Sequence, residues 1–472
     1  ENSVMIASAR KKSLFSFGLF GFCALFYLFF TFLDGPILTP DSSTYLSMSL
    51  HREPLYPLYL ALFRLIFGAV CSQDGWLFLA VAGQGLLAAA AAWSLPSYLY
   101  RHLRLPGWAA VVLAAFPLIV SLLCRFGAGR QAMYSNGIES EALSIPLFLL
   151  FFRFLYTFLL GRLSESASSR SPFWDRDFLL AALLCILLIS TRKQMLFTLF
   201  LLAAALAFNG AKTHKIRRFL FRFLFTAIAV LGLCSGLDRS YNYFLRDEGV
   251  RHSGDSRFLL TMVVYTADRE DAQRIQDPRI RSLFLEIYDT CDAEGYLKSS
   301  APEGWLGRVS HFGDHYDHIQ INTLRPAVTA YVEKNSSGSE TDQAAQVDQI
   351  MNEMTKALLP SCLPSLIGCF FDNLLSGLVT TVALRTPVLI AAAALFYAGY
   401  LILFMALIYR RADAAVLLFS ALTLLSILTN VALVSAVIFC QSRYTIYNMP
   451  LFYMSGFWML LTATNSFRFR RV

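Results

Sequence analysis

The sequence predicts an all-α polytopic membrane protein, and three features support this class. Hydrophobic residues make up 56% of the chain and charged residues only 15%, well below the quarter that is usual in soluble domains. Apolar runs long enough to cross a bilayer recur along the chain. Short clusters of Lys and Arg separate these runs, as membrane orientation requires. The net charge of +8 therefore does not indicate a nucleic-acid partner.

About ten apolar runs are interpreted as transmembrane helices. An eleventh, 54–70, is interrupted by Pro54, Pro57 and Arg64, and counting it as a span would move most basic clusters outside. The positive-inside rule favours ten spans with both termini cytoplasmic, and 54–70 becomes a helix on the outer face or a shallow re-entrant one. The ten runs are 13–33, 76–100, 108–124, 143–161, 174–190, 195–208, 219–237, 386–409, 414–439 and 451–467.

This topology divides the chain into three parts. Residues 1–237 form an N-terminal transmembrane module of seven spans, with a first outer loop at 34–75. Residues 238–385 form a large, mainly helical extracytoplasmic loop domain, in which a polar helix leads into an amphipathic one near 360–380 at the membrane surface. Residues 386–472 form a C-terminal module of three spans. We expect an integral plasma (inner) membrane protein whose functional site is extracytoplasmic.

Among the carboxylates of the first outer loop, Asp41 is the best candidate for a chemical role. It follows Pro40 and precedes Ser-Ser-Thr-Tyr, a pattern typical of a helix start. Its side chain is therefore either a helix N-cap or a base that takes a proton from an incoming hydroxyl. Asp34 borders the first span and is interpreted as an interfacial loop residue. Arg52 and Glu53 are expected to position the loop rather than to react.

Two further carboxylates, Glu139 and Glu141, lie one residue apart at the outer entrance to a span. On an extended turn they would face the same way, and on a helix they would diverge. They are either helix-start acids favoured by the helix dipole or groups that bind a substrate. A metal site would need oxygen ligands from several segments.

Basic residues on the outer turns are informative, because the positive-inside rule does not place them there. Arginine near hydrocarbon usually meets an anion, and a planar guanidinium suits phosphate oxygens. The alternative is salt bridging with Asp41, Glu139 and Glu141 alone. The set comprises Arg125, Arg130, Arg192, Lys193 and Arg443.

Three of the seven histidines cluster in the large loop, within "HFGDHYDHIQ". His311, His315 and His318 would lie along one side of a helix, which is compatible with a metal site. No further Glu or Cys completes a recognised ligand pattern, so we predict no metal site. His315 and His318 are interpreted as surface or substrate-lining residues.

Five short motifs follow one another along the chain: "PDSSTY", "REPLYPLYLALF", "SEAL", "TRKQ" and "SRYTIYNMP". In this order they resemble motifs of integral-membrane glycosyltransferases of the C-type fold (GT-C), particularly the bacterial relatives of protein mannosyltransferases and lipid A aminoarabinose transferases. The resemblance covers roughly residues 13–200 and 386–467. The chain departs from the family where many relatives have a second acid after Asp41, and where Pro often stands in place of Lys193.

The resemblance implies a role for each matching residue. Such enzymes take a sugar from a polyprenyl-phosphate donor and use an acid of the first outer loop as catalytic base, a position that Asp41 matches. The implied donor-phosphate ligands are Arg192, Lys193, Arg443 and Tyr444. The residues interpreted as substrate-binding are Tyr45, Arg52, Glu139, Glu141, His315 and His318.

The expected activity is inverting transfer of a sugar from a polyprenyl phosphate to a lipid- or glycan-linked acceptor at the extracytoplasmic face. Membrane lipids are expected partners; no cofactor is expected, although a divalent cation stays open. One alternative is an enzyme like the O-antigen ligases and polymerases, which would use a diphosphate-linked glycan without a catalytic acid. Another is a lipid or polysaccharide transporter, which should show repeated halves and polar residues at mid-span. Only Gln84 and Asn430 stand out there.

Overall fold

A computed structural model describes residues 2–127, 132–163, 172–212, 216–383 and 385–464. The described backbone is 83% helical and has no strand, apart from an isolated parallel bridge between Ile37 and Gly137. The predicted class, a polytopic helical membrane protein, is confirmed. The α-helices are α1 (Asn2–Asp34), α2 (Ser42–Leu46), α3 (Leu55–Phe67), α4 (Gln73–His102), α5 (Gly107–Gly127), α6 (Glu141–Leu163), α7 (Arg176–Thr191), α8 (Phe197–Lys212), α9 (Ile216–Arg246), α10 (Ser256–Thr266), α11 (Pro278–Ala293), α12 (Trp305–Asp317), α13 (Arg325–Asn335), α14 (Glu340–Val382), α15 (Pro387–Tyr409), α16 (Ala414–Ser435), α17 (Ser442–Thr445) and α18 (Met449–Ala463).

Within the described ranges, eight helices are long and apolar enough to cross a membrane: α1, α4, α5, α6, α9, α14, α15 and α16. Seven of them coincide with predicted spans, and the eighth, α14, does not. The described parts of the runs predicted at 174–190, 195–208 and 451–467 form α7, α8 and α18, which have 16, 16 and 15 residues. Residues 465–467 of the last run lie outside the described residues. Those lengths fall short of the ~20 residues that hydrocarbon requires of a straight helix. The predicted count of ten spans is therefore not confirmed.

The ambiguous run at 54–70 forms α3, a helix of 13 residues. At 1.5 Å per residue it is about 20 Å long, too short for a hydrocarbon layer of about 30 Å. Pro54 stands at its N-cap position and Gly68 at its C-cap position. The length of α3 agrees with a helix that does not span.

The described helices form two compact units. The first comprises Glu1–Tyr241, Ala394–Ile427 and Ile446–Val472; the second comprises Asn242–Ala393 and Leu428–Thr445. The second unit thus takes in a segment, 428–445, that the sequence assigned to the C-terminal transmembrane module.

In the first unit, α1 packs on α4 and α5, α4 on α6, and α6 on α7. A core of Leu19, Tyr27, Leu118 and several alanines of α4 joins the first three of these helices. Small residues let membrane helices approach closely. The Oγ atoms of Ser16 and Ser97 lie 2.5 Å apart between α1 and α4. This packing fixes α4, α6 and α7 as the frame on which the first outer loop lies.

The second unit has its own apolar core, built from α10, α11, α14 and a π-helical segment, His318–Leu324. The predicted polar and amphipathic helices are one continuous helix of 43 residues, α14, despite Pro360 and Pro364. One face supplies Met351, Met354, Leu358, Cys362 and Leu366 to the core. The other exposes an apolar stripe at four-residue spacing, Leu363, Ile367, Phe371 and Leu375.

All nine cysteines fall within the described residues, and none is joined to another in a disulfide. This includes Cys71, Cys291, Cys362 and Cys369, which lie outside the predicted spans. Cys291, Cys362 and Cys369 lie in the core of the second unit.

Candidate functional site

The first outer loop is fastened to the segment that precedes α6. The backbone N–H of Ile37 donates to the carbonyl of Asn136, and that of Ile138 donates to the carbonyl of Ile37, both at 2.9 Å. Ser42 Oγ donates to the carbonyl of Ile138 at 2.8 Å. Farther along the loop, Tyr56 lies fully buried and donates to the carbonyl of Gly137 at 3.4 Å. These bonds bring residues about 100 positions apart into one small region.

Asp41 stands at the N-cap position of α2, but its side chain makes no capping hydrogen bond. Instead, Asp41 Oδ1 accepts from Arg52 Nη2 at 2.6 Å. The carboxylate remains 31% exposed and the guanidinium 19% exposed. The N-cap interpretation of Asp41 is therefore wrong for its side chain, which lies in an ion pair that solvent still reaches.

Arg52 connects Asp41 to the interior of the loop. Its Nε donates to Thr44 Oγ1 at 2.7 Å, and its Nη1 donates to the Tyr45 hydroxyl at 3.2 Å. The guanidinium carbon also lies 4.4 Å from the centre of the Tyr45 ring, within range of a cation–π interaction. A planar fork suits several acceptors at once, so Arg52 fixes the position of the Asp41 carboxylate.

Tyr45 and Ser140 continue the network into α6. The Tyr45 hydroxyl donates to Ser140 Oγ at 3.0 Å, and Ser140 Oγ donates to Glu141 Oε2 at 3.2 Å. Burial raises the pKa of Tyr45 to about 12, so its hydroxyl stays protonated at neutral pH. Tyr45 therefore acts as a stable hydrogen-bond donor between the loop and the helix.

Glu141 completes the path by pairing with Arg192. The Glu141 side chain is only 1% exposed and that of Arg192 12% exposed. Glu141 is also in the first turn of α6, where the helix dipole favours a carboxylate. The helix-start interpretation of Glu141 and the salt-bridge alternative for Arg192 thus both describe this pair. The pair is nearly buried, which is costly for single charges and tolerable for a close ion pair.

The "TRKQ" turn lies between α7 and α8. Arg192 is extended, and Lys193–Leu196 form a short 3₁₀ helix that leads into α8. The backbone N–H of Lys193 donates to Glu53 Oε1 at 3.0 Å. Because Glu53 follows Arg52 directly, this hydrogen bond joins the turn to the first outer loop next to the ion pair of Asp41 and Arg52.

Glu139 is buried, with 2% exposure, and lies in the bend before α6. A Cβ at Gly137 would stand 2.5 Å from Glu139 Oε1. Gly137 therefore permits the carboxylate of Glu139 to fold back against the backbone. Glu141, in contrast, is directed to Arg192 from the first turn of the helix.

Arg125 belongs to a separate ion pair. Its Nε and Nη2 donate to the two oxygens of Asp34 at 2.9 and 2.5 Å. The alternative of salt bridging thus describes Arg125, although its partner is Asp34 rather than the acids considered from the sequence. Arg130 lies outside the described residues.

The remaining predicted site residues belong to the second unit. The Arg443 guanidinium lies over the Tyr444 ring at 5.2 Å, and Asn430 donates to the Tyr444 carbonyl at 3.0 Å. The rings of His315 and His318 stack on Tyr296 at 5.0 and 5.3 Å. In the described part of the chain, no group of three or more His, Cys, Asp or Glu is arranged to hold a metal ion.

Sequence reasoning missed three polar residues of the site. Thr44 and Ser140 carry the network, and Ser144, one turn into α6, lies 2.8 Å from the Tyr447 hydroxyl. Ser140 directly precedes Glu141 in the "SEAL" motif, which was the available signal. Thr44 lies within "PDSSTY", only eight positions before its partner Arg52. Ser144 carries no local signal, because its partner Tyr447 is 303 positions away.

The fold and the site define a multi-pass helical membrane protein with a buried polar network in its first unit. A carboxylate, that of Asp41, and a guanidinium, that of Arg192, stand at the two ends of that network. Comparison with protein-family models, with curated proteins and with solved structures finds no match to this chain.

Proposed function

We propose that this chain is an inverting glycosyltransferase that uses a polyprenyl-phosphate-linked sugar at the extracytoplasmic face of the plasma membrane. The network from Asp41 through Arg52, Tyr45, Ser140 and Glu141 to Arg192 is the observation that supports this most. It connects a solvent-accessible carboxylate to a guanidinium suited to phosphate. Lipid-linked donor chemistry needs both groups near one substrate.

In the proposed reaction, Asp41 takes the proton of the acceptor hydroxyl as that oxygen forms a bond to the anomeric carbon. The bond from this carbon to the phosphate oxygen breaks, and its electron pair leaves on the lipid phosphate. The acceptor is a lipid- or glycan-linked hydroxyl. Because the phosphate is a stable anion, no protein acid is needed for its departure.

Arg192 and Lys193 would stabilise the charge that grows on the departing phosphate, a preorganised electrostatic effect. A guanidinium has five N–H donors in a fixed fork, so a carboxylate and a phosphate can share it. Glu141 would then orient Arg192 rather than neutralise it. Arg443 and Tyr444 as further donor ligands, and His315 and His318 as acceptor-side residues, are supported by the sequence pattern.

A transporter is disfavoured by one observation. The two polar side chains singled out at mid-span are both used inside the protein. Gln84 donates to the Tyr56 hydroxyl at 2.9 Å, and Asn430 donates to the Tyr444 carbonyl at 3.0 Å. These hydrogen bonds account for both side chains without a transported substrate.

The test is a donor comparison with the purified full-length protein. Sugar release would be measured from polyprenyl-monophosphate sugars and, in parallel, from diphosphate-linked glycans. Release from the monophosphate donors supports the proposal. Turnover with diphosphate-linked glycans alone would replace it with the ligase or polymerase class, and movement of intact lipid across vesicles without sugar release would replace it with a transporter.

A further inference from the structure

A cavity of about 330 Å³ lies in the first unit, between α4, α6 and the start of α7. It lies away from the ends of α6 and α7 that carry the candidate site. On α6, the lining residue Arg153 follows Glu141 by twelve positions, about 18 Å along the axis. On α7, Arg176 is the first residue, whereas Arg192 follows the last. The cavity is therefore separate from the Asp41 network.

The charged residues that line this cavity are predominantly cationic. Arg101, Arg153 and Arg176 line it together with His102, and Asp177 is the one acid among its described lining residues. Arg101 and Arg176 stand at helix ends and are exposed, where membrane orientation accounts for them. The volume falls in the range of small-ligand pockets.

Arg153 is different, because it lies in the middle of a membrane-spanning helix. A charge at that depth is unfavourable in hydrocarbon and usually marks a functional contact. The guanidinium carbon lies 4.1 Å from the centre of the Phe154 ring and 5.3 Å from that of Tyr98. Its Nε is buried and has no hydrogen-bond partner in the described part of the chain. Aromatic rings thus cover the cation without supplying an acceptor for that donor.

We propose that this cavity binds a phosphate-bearing anion, with Arg153 as the most buried of its three arginines. A guanidinium matches phosphate oxygens in geometry as well as charge, and two further arginines add to the attraction. A basic pocket between helices suits an anionic lipid headgroup, and a soluble phosphate or diphosphate offers the same chemistry. This inference does not depend on the proposed glycosyl transfer.

The test uses the purified full chain in a neutral detergent, with affinity and Tm measured for three probes. These are inorganic diphosphate, phosphatidylglycerol and, as a zwitterionic control, phosphatidylcholine. A ligand that binds the folded state raises Tm as its concentration rises. We expect Arg153→Gln to weaken binding of the anionic probe at least about tenfold, the loss of one charge-assisted contact. The exposed Arg176→Gln should weaken it less.

Arg410→Gln is the matched control, because Arg410 is an exposed arginine that does not line the cavity; its affinity should equal that of the native chain. A response to phosphatidylglycerol alone assigns a lipid headgroup, and a response to diphosphate assigns a soluble anion. The proposal is overturned if neither anion binds better than phosphatidylcholine. It is equally overturned if binding survives unchanged in both Arg153→Gln and Arg176→Gln. If Arg153→Gln does not fold, the proposal is tested by Arg176→Gln and by the three probes. It is then overturned if Arg176→Gln binds the anionic probe as tightly as the native chain, or if neither anion binds better than phosphatidylcholine.

Discussion

Arg52 Nη2 lies 2.6 Å from Asp41 Oδ1, and this bond joins the start of α2 to the segment between α2 and α3. Arg52 also holds Thr44 and Tyr45 through its other two nitrogens. One side chain thus sets the direction of the carboxylate that we propose as the base. A lysine has the same charge but only a single nitrogen, so it cannot hold the three acceptors in one geometry.

Arg52→Lys should therefore reduce sugar transfer much more than stability. We expect a loss of about 100-fold in kcat, the effect of a misplaced reacting group. The partly exposed ion pair contributes only about 1 kcal/mol or less to folding. Initial rates and Tm of the detergent-solubilised protein measure both. Arg64→Lys, at an exposed arginine of α3, is the control, and full activity of Arg52→Lys would contradict the positioning role.

The Glu141–Arg192 pair should show strong coupling in a double-mutant cycle. Its two side chains are 1% and 12% exposed, and removing one partner of a buried pair typically costs about 3–5 kcal/mol. Glu141→Gln and Arg192→Gln should each lower the free energy of unfolding, and the double variant should lose much less than the sum. Denaturant titration in detergent measures the three values. Strict additivity would mean that the two groups do not interact.

Arg192→Gln should also weaken use of the lipid-phosphate donor, which a purely structural pair would not do. Arg125→Gln provides the comparison, because Arg125 is in an ion pair with Asp34 outside the network. We expect a raised KM for the donor in Arg192→Gln, and an unchanged donor KM in Arg125→Gln. Equal KM values in the two variants would remove Arg192 from the donor site.

Gly137→Ala adds only one methyl group, but we expect it to displace the side chain of Glu139. The new Cβ would lie 2.5 Å from Glu139 Oε1 and 3.0 Å from its Cδ, so the buried carboxylate would have to move. Transfer activity should fall by about tenfold or more, the scale of a displacement near reacting groups. Gly161→Ala is the control, since no atom lies within 4 Å of its Cβ position and alanine favours a helix interior by about 1 kcal/mol. Unchanged activity in Gly137→Ala would show that transfer does not depend on the position of the Glu139 carboxylate.

His315 should make the second unit sensitive to mild acid. Burial lowers the pKa of His315 below its ordinary value near 6.5, and His311 adds to this, while Asp314 opposes it. The unfolded chain therefore takes up a proton that the folded chain resists. The His315 contribution is complete above about pH 6.5 and is lost as the pH falls through the lower folded pKa.

We expect Tm to decline from roughly pH 7 to 5, and His315→Asn to flatten part of that decline. Thermal unfolding across the pH range provides the measurement. Identical profiles for His315→Asn and the native chain would contradict the assignment.

The class of the protein could be predicted from sequence because hydrocarbon imposes long apolar helices, which are a local property. The continuity of α14 could not. Its two prolines and its mixed polarity indicate a break, but Met354, Leu358 and Cys362 pack into one core and hold the helix together. Tertiary packing of this kind overrides local preference.

The members of the candidate site were partly predictable, whereas their pairing was not. Asp41, Arg52, Glu141 and Arg192 stood out because charges near a membrane are unusual. Which charge meets which depends on how the first outer loop lies against the residues before α6. Tyr45 and Ser140 are 95 positions apart, and no local pattern links them.

The most direct test of the central claim is sugar release by Asp41→Asn with a polyprenyl-monophosphate donor. The substitution keeps the shape of the side chain and removes the proton acceptor. Asp74→Asn is the matched control, because Asp74 is an exposed acid of the same predicted outer loop outside the network. With folding verified by Tm, we predict that Asp41→Asn loses about 100-fold or more in kcat and that Asp74→Asn retains native activity. Native activity of Asp41→Asn with that donor would contradict the account.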